Sequence, residues 1–267
     1  MLLPLGGRNL YYDLVGPEQG DVVTLCHALA ADSGMWAEQV PPLLAEGYRV
    51  LRIDMRGHGG SDAPAGDYMQ EDLAADVVAV LDALDVKTMH YIGLSIGGMF
   101  GQTLGIKHAG RVRSLMLCNT SAAPPADAAQ RWGPRIAAVK EHGSLTPVAD
   151  ATMQRWLTDN YRAAHPSRWK QIHDTVLGCT PQGYIGCVHA IRSFDYTKQL
   201  ASITTPAMML FGADDANVES GAARQMAGLL PNGRYEEIGN GARHLPNVEF
   251  PDVFNGLMLS WLKSQRA

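Results

Sequence analysis

Met89-His90-Tyr91-Ile92-Gly93-Leu94-Ser95-Ile96-Gly97-Gly98-Met99-Phe100-Gly101 is the stretch that decides how this chain is read. An apolar run ends at Gly93-Leu94-Ser95-Ile96-Gly97, and helix-compatible residues follow at once. This is the sequence form of a nucleophile elbow, a strand turning so sharply into a helix that the serine is held out at the tip. A Cβ at Gly93 or Gly97 would keep strand and helix from approaching across such a turn. Serine gains an exposed hydroxyl there, and the first N–H groups of the helix face any negative charge that develops beside it. With 28 glycines in 267 residues a Gly-x-Ser-x-Gly match also arises by chance, so the setting must decide its meaning.

Working outward, strand and helix patterns alternate. Leu10 to Val15, Val22 to Cys26 and Arg49 to Asp54 read as strands, with a helix over Trp36 to Ala45. From Glu71 to Leu84, Leu73, Val77, Val80, Leu81 and Leu84 fall on one helical stripe. Strand Thr88 to Gly93 leads into the elbow, the next helix runs to about His108, and Val112 to Cys118 is another strand. The alternation then stops from Ala122 to Thr205, where mostly helical periodicity reads as an inserted cap. It resumes with strand Ala207 to Phe211, helix Glu219 to Leu229, strand Arg234 to Ile238 and helix Val253 to Leu262. The expected fold class is therefore α/β: a mainly parallel sheet covered by helices on both faces, from residues 1–121 and 206–267, with a helical cap at 122–205. In such sheets ligands bind beyond the carboxyl ends of the strands, and Ser95 lies at one such end.

Composition narrows the classes. Hydrophobic residues at 46% and charged residues at 18% describe an ordinary globular protein. A net charge of −5 leaves no electrostatic footprint for nucleic acid, and no Lys/Arg run marks a membrane surface. The N-terminus lacks a basic region and its apolar run is broken by Pro4, so no signal peptide is read. Cys26, Cys118, Cys179 and Cys187 form no CxxC pair, and a reduced, cytoplasmic protein is expected. No HExxH or P-loop pattern is present, so neither metal nor organic cofactor is expected.

A serine hydroxyl is a poor nucleophile at neutral pH and needs a base, with a third group to orient that base. When the order is serine, acid, histidine, the histidine must follow the last strand. Eight of the nine histidines lie before residue 190, which leaves His244 in Gly241-Ala242-Arg243-His244-Leu245-Pro246. For the acid, the loop after Ala207 to Phe211 offers both Asp214 and Asp215, one of which could instead cap the next helix. The end of the preceding strand holds Asn119, which cannot serve as an anion. Two backbone donors are needed for an oxyanion: Ile96, directly after the nucleophile, and Leu29 in the loop after Cys26. His27 is expected to brace that loop and is carried as a candidate substrate contact.

At this point the residues resemble the α/β-hydrolase superfamily, and within it the 3-oxoadipate enol-lactone hydrolases of aromatic catabolism. The likeness covers nearly the whole chain. It includes Asp54-Met55-Arg56-Gly57-His58-Gly59-Gly60-Ser61 and the elbow, which are superfamily motifs. Leu117-Cys118-Asn119-Thr120 and His244-Leu245-Pro246-Asn247-Val248-Glu249 point to the lactonase branch. The resemblance implies Ser95 as nucleophile, His244 as base and Asp215, three residues after the glycine, as acid. It implies an ester or lactone substrate. Two departures flank the site: Cys26-His27-Ala28 where those lactonases more often have Ser-Asn-Ser, and Arg243 where they have a small residue.

From Pro125 to Leu200 nine Lys/Arg face six Asp/Glu, a basic cap over an acidic remainder, suited to a small carboxylate-bearing substrate. Arg135 and Arg192 are the candidates for a carboxylate clamp, since a guanidinium fork matches that geometry. Trp132 either walls the pocket or packs the cap. Two other classes share these residues: a carbon–carbon bond hydrolase of ring-fission products using the same triad, and a non-enzymatic ligand receptor on the same fold.

Overall fold

In the computed structural model, which describes residues 1–218, 220–239 and 241–266, the alternation builds one eight-stranded sheet. The strands are β1 (Leu2–Leu5), β2 (Arg8–Val15), β3 (Val22–Cys26), β4 (Arg49–Ile53), β5 (Met89–Leu94), β6 (Val112–Cys118), β7 (Ala207–Gly212) and β8 (Gly233–Ile238). Their order is β1-β2-β4-β3-β5-β6-β7-β8. β1, β2 and β4 pair antiparallel, and every pairing from β4 through β8 is parallel. All residues of β3, β5 and β7 are buried, as expected of strands covered on both faces. β5 is therefore central, and its carboxyl end is the place where the elbow opens.

Around the sheet lie α1 (Val40–Ala45), α2 (Gln70–Ala83), α3 (Ile96–Lys107), α9 (Ser220–Leu229), α10 (Pro246–Glu249) and α11 (Pro251–Ser264). Between β6 and β7 the chain forms α4 (Ala128–His142), α5 (Thr146–Trp156), α6 (Asp159–Ala164), α7 (Pro166–Gly178) and α8 (Pro181–Arg192). The stripe read from Leu73 to Leu84 is the inner face of α2, where Leu73, Val77, Val80 and Leu81 are buried. The four cysteines are free and buried, two of them ending β3 and β6. Among the described residues no helix is long and apolar enough to cross a membrane.

Three local expectations change. The helix expected from Trp36 splits into a short 3-10 turn, Ser33–Trp36, and α1, because Pro41 and Pro42 lack N–H groups and fit only a first helical turn. β1 precedes the first strand read from the sequence; Gly6 and Gly7, with φ of 52° and 89°, form the tight turn that folds it onto β2. The expected start of α9 at Glu219 lies outside the described residues.

Candidate active site

β5 delivers Ser95 at the start of α3 with φ 58° and ψ −118°, a left-handed conformation that a side chain adopts at a cost of about 1–3 kcal/mol. Three bonds hold it there. Ser95 N donates to Cys118 O at 2.8 Å, Thr120 Oγ1 donates to Ser95 O at 2.8 Å, and Met99 N donates to the same oxygen at 3.0 Å. The glycines have the steric role read from the sequence: a Cβ on Gly93 would stand 2.3 Å from Gly97 O, and one on Gly97 would stand 2.5 Å from Cys26 O. The elbow is thus the point where β5, α3 and the end of β3 are in backbone contact.

Asp215 and His244, the candidate acid and base, lie on the loops after β7 and β8. Asp215 is buried and accepts from His244 Nδ1 at 2.8 Å, whereas Asp214 is exposed. Asp215 also accepts from Asn119 Nδ2 at 2.8 Å and from Asn217 N at 2.8 Å. Burial would raise its carboxyl, but the His244 charge and these hydrogen bonds outweigh burial and hold it below the usual carboxylate range. An anionic Asp215 fixes the Nδ1–H tautomer of His244 and leaves Nε2 as the ring's acceptor nitrogen. Trp156 of α5 stacks on the imidazole, with ring centroids 6.5 Å apart and planes at 28°.

Ile96 opens α3, and Leu29 follows β3. Among the described residues neither backbone N–H donates to a protein acceptor. Two histidines set the loop that carries Leu29. His58 Nε2 accepts from Ala30 N at 2.9 Å, and His27 Nε2 accepts from Met55 N at 3.0 Å while its Nδ1–H donates to Ala28 O at 2.8 Å. Burial and the neighbouring His27 push His58 down to about 3, so it stays neutral and keeps its acceptor.

Ser95, Leu29 and His244 line one cavity of about 260 Å³, walled also by α4, α5 and α8 and by the loop residues Ala216 to Val218. Trp132 and Arg135 face it from α4, one helical turn apart, with the Arg135 guanidinium 5.0 Å from the indole centre. Thr152, Arg155 and Trp156 face it from α5 at the same spacing. Arg155 is a residue the sequence reading did not single out. Among the described residues its guanidinium makes one hydrogen bond, to Thr152 Oγ1 at 3.0 Å, and neither Arg135 nor Arg155 has an ion-pair partner. Burial and then the Arg135 charge push Arg155 down to about 10.

Two substrate-contact candidates fall elsewhere. Arg192 is exposed and outside the cavity: Tyr184 and Ile191, seven residues apart on α8, present one face to it, and the next residue points about 100° away. His27 is fully buried with both ring nitrogens bonded to backbone, so it braces the loop and does not line the cavity. Asn119, set aside as an acid, is the residue that holds Asp215. Its φ of 44° turns the side chain between β6 and β7, where its Oδ1 also accepts from Gly212 N at 3.2 Å. Its position at the end of a strand adjacent to β7 was the signal for that role.

Residues 21–251 match the family model of the alpha/beta hydrolase fold. The chain is 30% identical to 3-oxoadipate enol-lactonase 1 of Acinetobacter baylyi over 97% of its length and 94% of that protein's. An enol-lactonase from Burkholderia xenovorans LB400 superimposes with a TM-score of 0.93 at 32% identity, covering 98% of this chain and 100% of the other. A thermophilic esterase from Thermogutta terrifontis, solved with malate bound, gives 0.90 at 26% identity, covering 100% and 97%. This chain belongs to the alpha/beta hydrolase fold family.

Proposed function

We propose that this hydrolase cleaves a small ester or lactone bearing a carboxylate, through Ser95, His244 and Asp215, with residues 122–205 as a cap over the site. The observation that carries the reading is the convergence on one cavity of a strained serine, an Asp215-oriented histidine and two guanidiniums that have no acidic partner among the described residues. In the first half-reaction His244 Nε2 takes the Ser95 proton as Oγ attacks the carbonyl carbon. The Leu29 and Ile96 N–H groups bond the oxyanion, whose collapse breaks the carbonyl-carbon–oxygen bond. The departing oxygen takes the proton back from His244; an enolate needs little acid assistance to leave and then takes that proton at oxygen or carbon, so His244 is neutral again. Water then attacks the acyl group with His244 again as base, releasing acid and restoring Ser95. In a lactone the leaving oxygen stays tethered, so one ring-opened product results.

Arg135 and Arg155 supply the carboxylate end. A guanidinium pair with no acidic partner among the described residues favours a ligand carboxylate, and Trp132, Trp156 and Tyr184 would enclose the carbon skeleton between them. The likeness to enol-lactonases, and to an esterase that was solved with malate bound, supports the same class of substrate. The test is a panel of a carboxylate-bearing enol-lactone, saturated lactones, neutral aryl esters and diketones, with wild type and Ser95→Ala. Wild type should prefer the carboxylate-bearing lactone, and Ser95→Ala should abolish its turnover. Undiminished turnover by Ser95→Ala would sink the mechanism, and preference for diketones the substrate class.

A further inference from the structure

Arg243 precedes the catalytic base, yet its side chain points away from the cavity and toward the cap. Its Nη1 donates to Gln154 O at 2.6 Å and to Leu157 O at 3.0 Å. These carbonyls stand at the carboxyl end of α5, where the last turn has no intrahelical donors and favours a cation. The segment that follows bonds the same end: Leu245 N donates to Trp156 O at 3.2 Å, and Glu249 of α10 accepts from Thr158 N at 3.3 Å. On its other side Arg243 is tied to the acid, because its carbonyl accepts at 3.3 Å from the Asn119 Nδ2 that also bonds Asp215. A continuous set of bonds therefore runs from the end of α5 through Arg243 and Asn119 to Asp215 and His244.

We infer that Arg243 is a positioning residue that sets the register between α5, which carries Arg155 and Trp156, and the base His244, and thereby selects substrates by the separation of carboxylate and scissile carbonyl. The inference rests on the carboxylate reading above. A substrate anchored on Arg155 spans from α5 to Ser95. If α5 slides against the histidine loop, the anchor still binds but the carbonyl misses the nucleophile and oxyanion donors. Binding survives and turnover is lost, because a displacement of about 1 Å can cost about 100-fold in rate. A neutral ester has no anchor on α5 and settles its carbonyl against Ser95 without reference to that helix.

The experiment compares Arg243→Ala, Arg243→Gln and Arg243→Lys on a carboxylate-bearing lactone and a neutral phenyl ester. For Arg243→Ala, kcat on the lactone should fall by about 10- to 100-fold with KM little changed, and kcat on the phenyl ester by a distinctly smaller factor. Lys, which keeps a donor and the charge, should recover more than Gln, which keeps a donor alone. A second readout needs no substrate. Trp156 stacks on His244, so its fluorescence, isolated as the difference from Trp156→Phe, reports how α5 packs on the histidine loop. In Arg243→Ala that difference spectrum should shift as α5 parts from the loop. Equal losses of kcat on both substrates, a rise of KM alone, or an unchanged difference spectrum would each overturn the proposal. If Arg135→Ala and Arg155→Ala do not discriminate between the two substrates, it is the carboxylate reading that fails, and the fluorescence arm still judges the register.

Discussion

Replacing Arg155 by methionine, which keeps much of its length and none of its charge, should separate binding from stability. Among the described residues the guanidinium has one hydrogen bond, to Thr152, and no acidic partner, so a substrate carboxylate gains a charge-assisted bond there. Such a bond contributes about 1.5–3 kcal/mol, and about 1.4 kcal/mol is tenfold in kcat/KM. Arg155→Met should therefore lower kcat/KM for a carboxylate-bearing lactone by about 10- to 100-fold, since Arg135 remains to hold part of the charge. The same lactone as its carboxamide should lose little. Stability should move the other way. Burial first, and the Arg135 charge second, push Arg155 down from 12.5 to about 10, so at pH 7 the charged side chain is disfavoured in the folded enzyme relative to the unfolded chain. Methionine removes that cost, and the melting temperature of the empty enzyme should rise slightly, solvent screening of a half-buried group keeping the gain small. The assay is initial rates on lactone and carboxamide beside thermal unfolding with and without a dicarboxylate ligand. Equal losses on both substrates, or a lower melting temperature of the empty variant, would refute an unpaired carboxylate-binding arginine.

Asn119→Leu removes one donor from Asp215 and leaves Gly212 N without its acceptor, so kcat should fall about tenfold. Asp215 is held below its ordinary value, contributing stability above the unfolded carboxyl range that is lost as pH falls through its folded value. Losing a donor raises that value, so the acid limb of both rate and stability should shift to higher pH, read from pH–rate profiles and melting curves. Ser95→Gly should abolish turnover while raising stability by up to about 1–3 kcal/mol in denaturant titrations, because glycine adopts φ 58° without strain. Gly97→Ala places a methyl 2.5 Å from Cys26 O and must push α3 from the end of β3, so both stability and kcat should drop, the latter through a widened oxyanion hole.

What could be read from the residues and what could not divides along a physical line. Strands β3 to β7 and helix α2 declared themselves because their burial pattern is local: period 3.6 on α2, unbroken apolar runs in the parallel strands. The elbow was legible because sterics leave no alternative to glycine at 93 and 97. His244 followed from order along the chain. The choice of Asp215 over Asp214 could not be made from residue type, since one is buried against Asn119 and the other exposed only once β6 and β7 are adjacent. Arg155 and Arg192 show where local reading ends. Both lie on helices between β6 and β7 with the same charge, and only the rotation of each helix about its axis decides which one faces the cavity that Ser95 lines. That rotation is fixed by packing against the core. On α5 it is fixed by the loop of His244 itself, through Arg243 and Leu245 at the helix end. The proposed anchor Arg155 and the proposed base His244 are thus oriented by the same few bonds. Exchanging cavity-lining side chains of α4 and α8 alone should therefore disturb kcat less than any change that moves the end of α5.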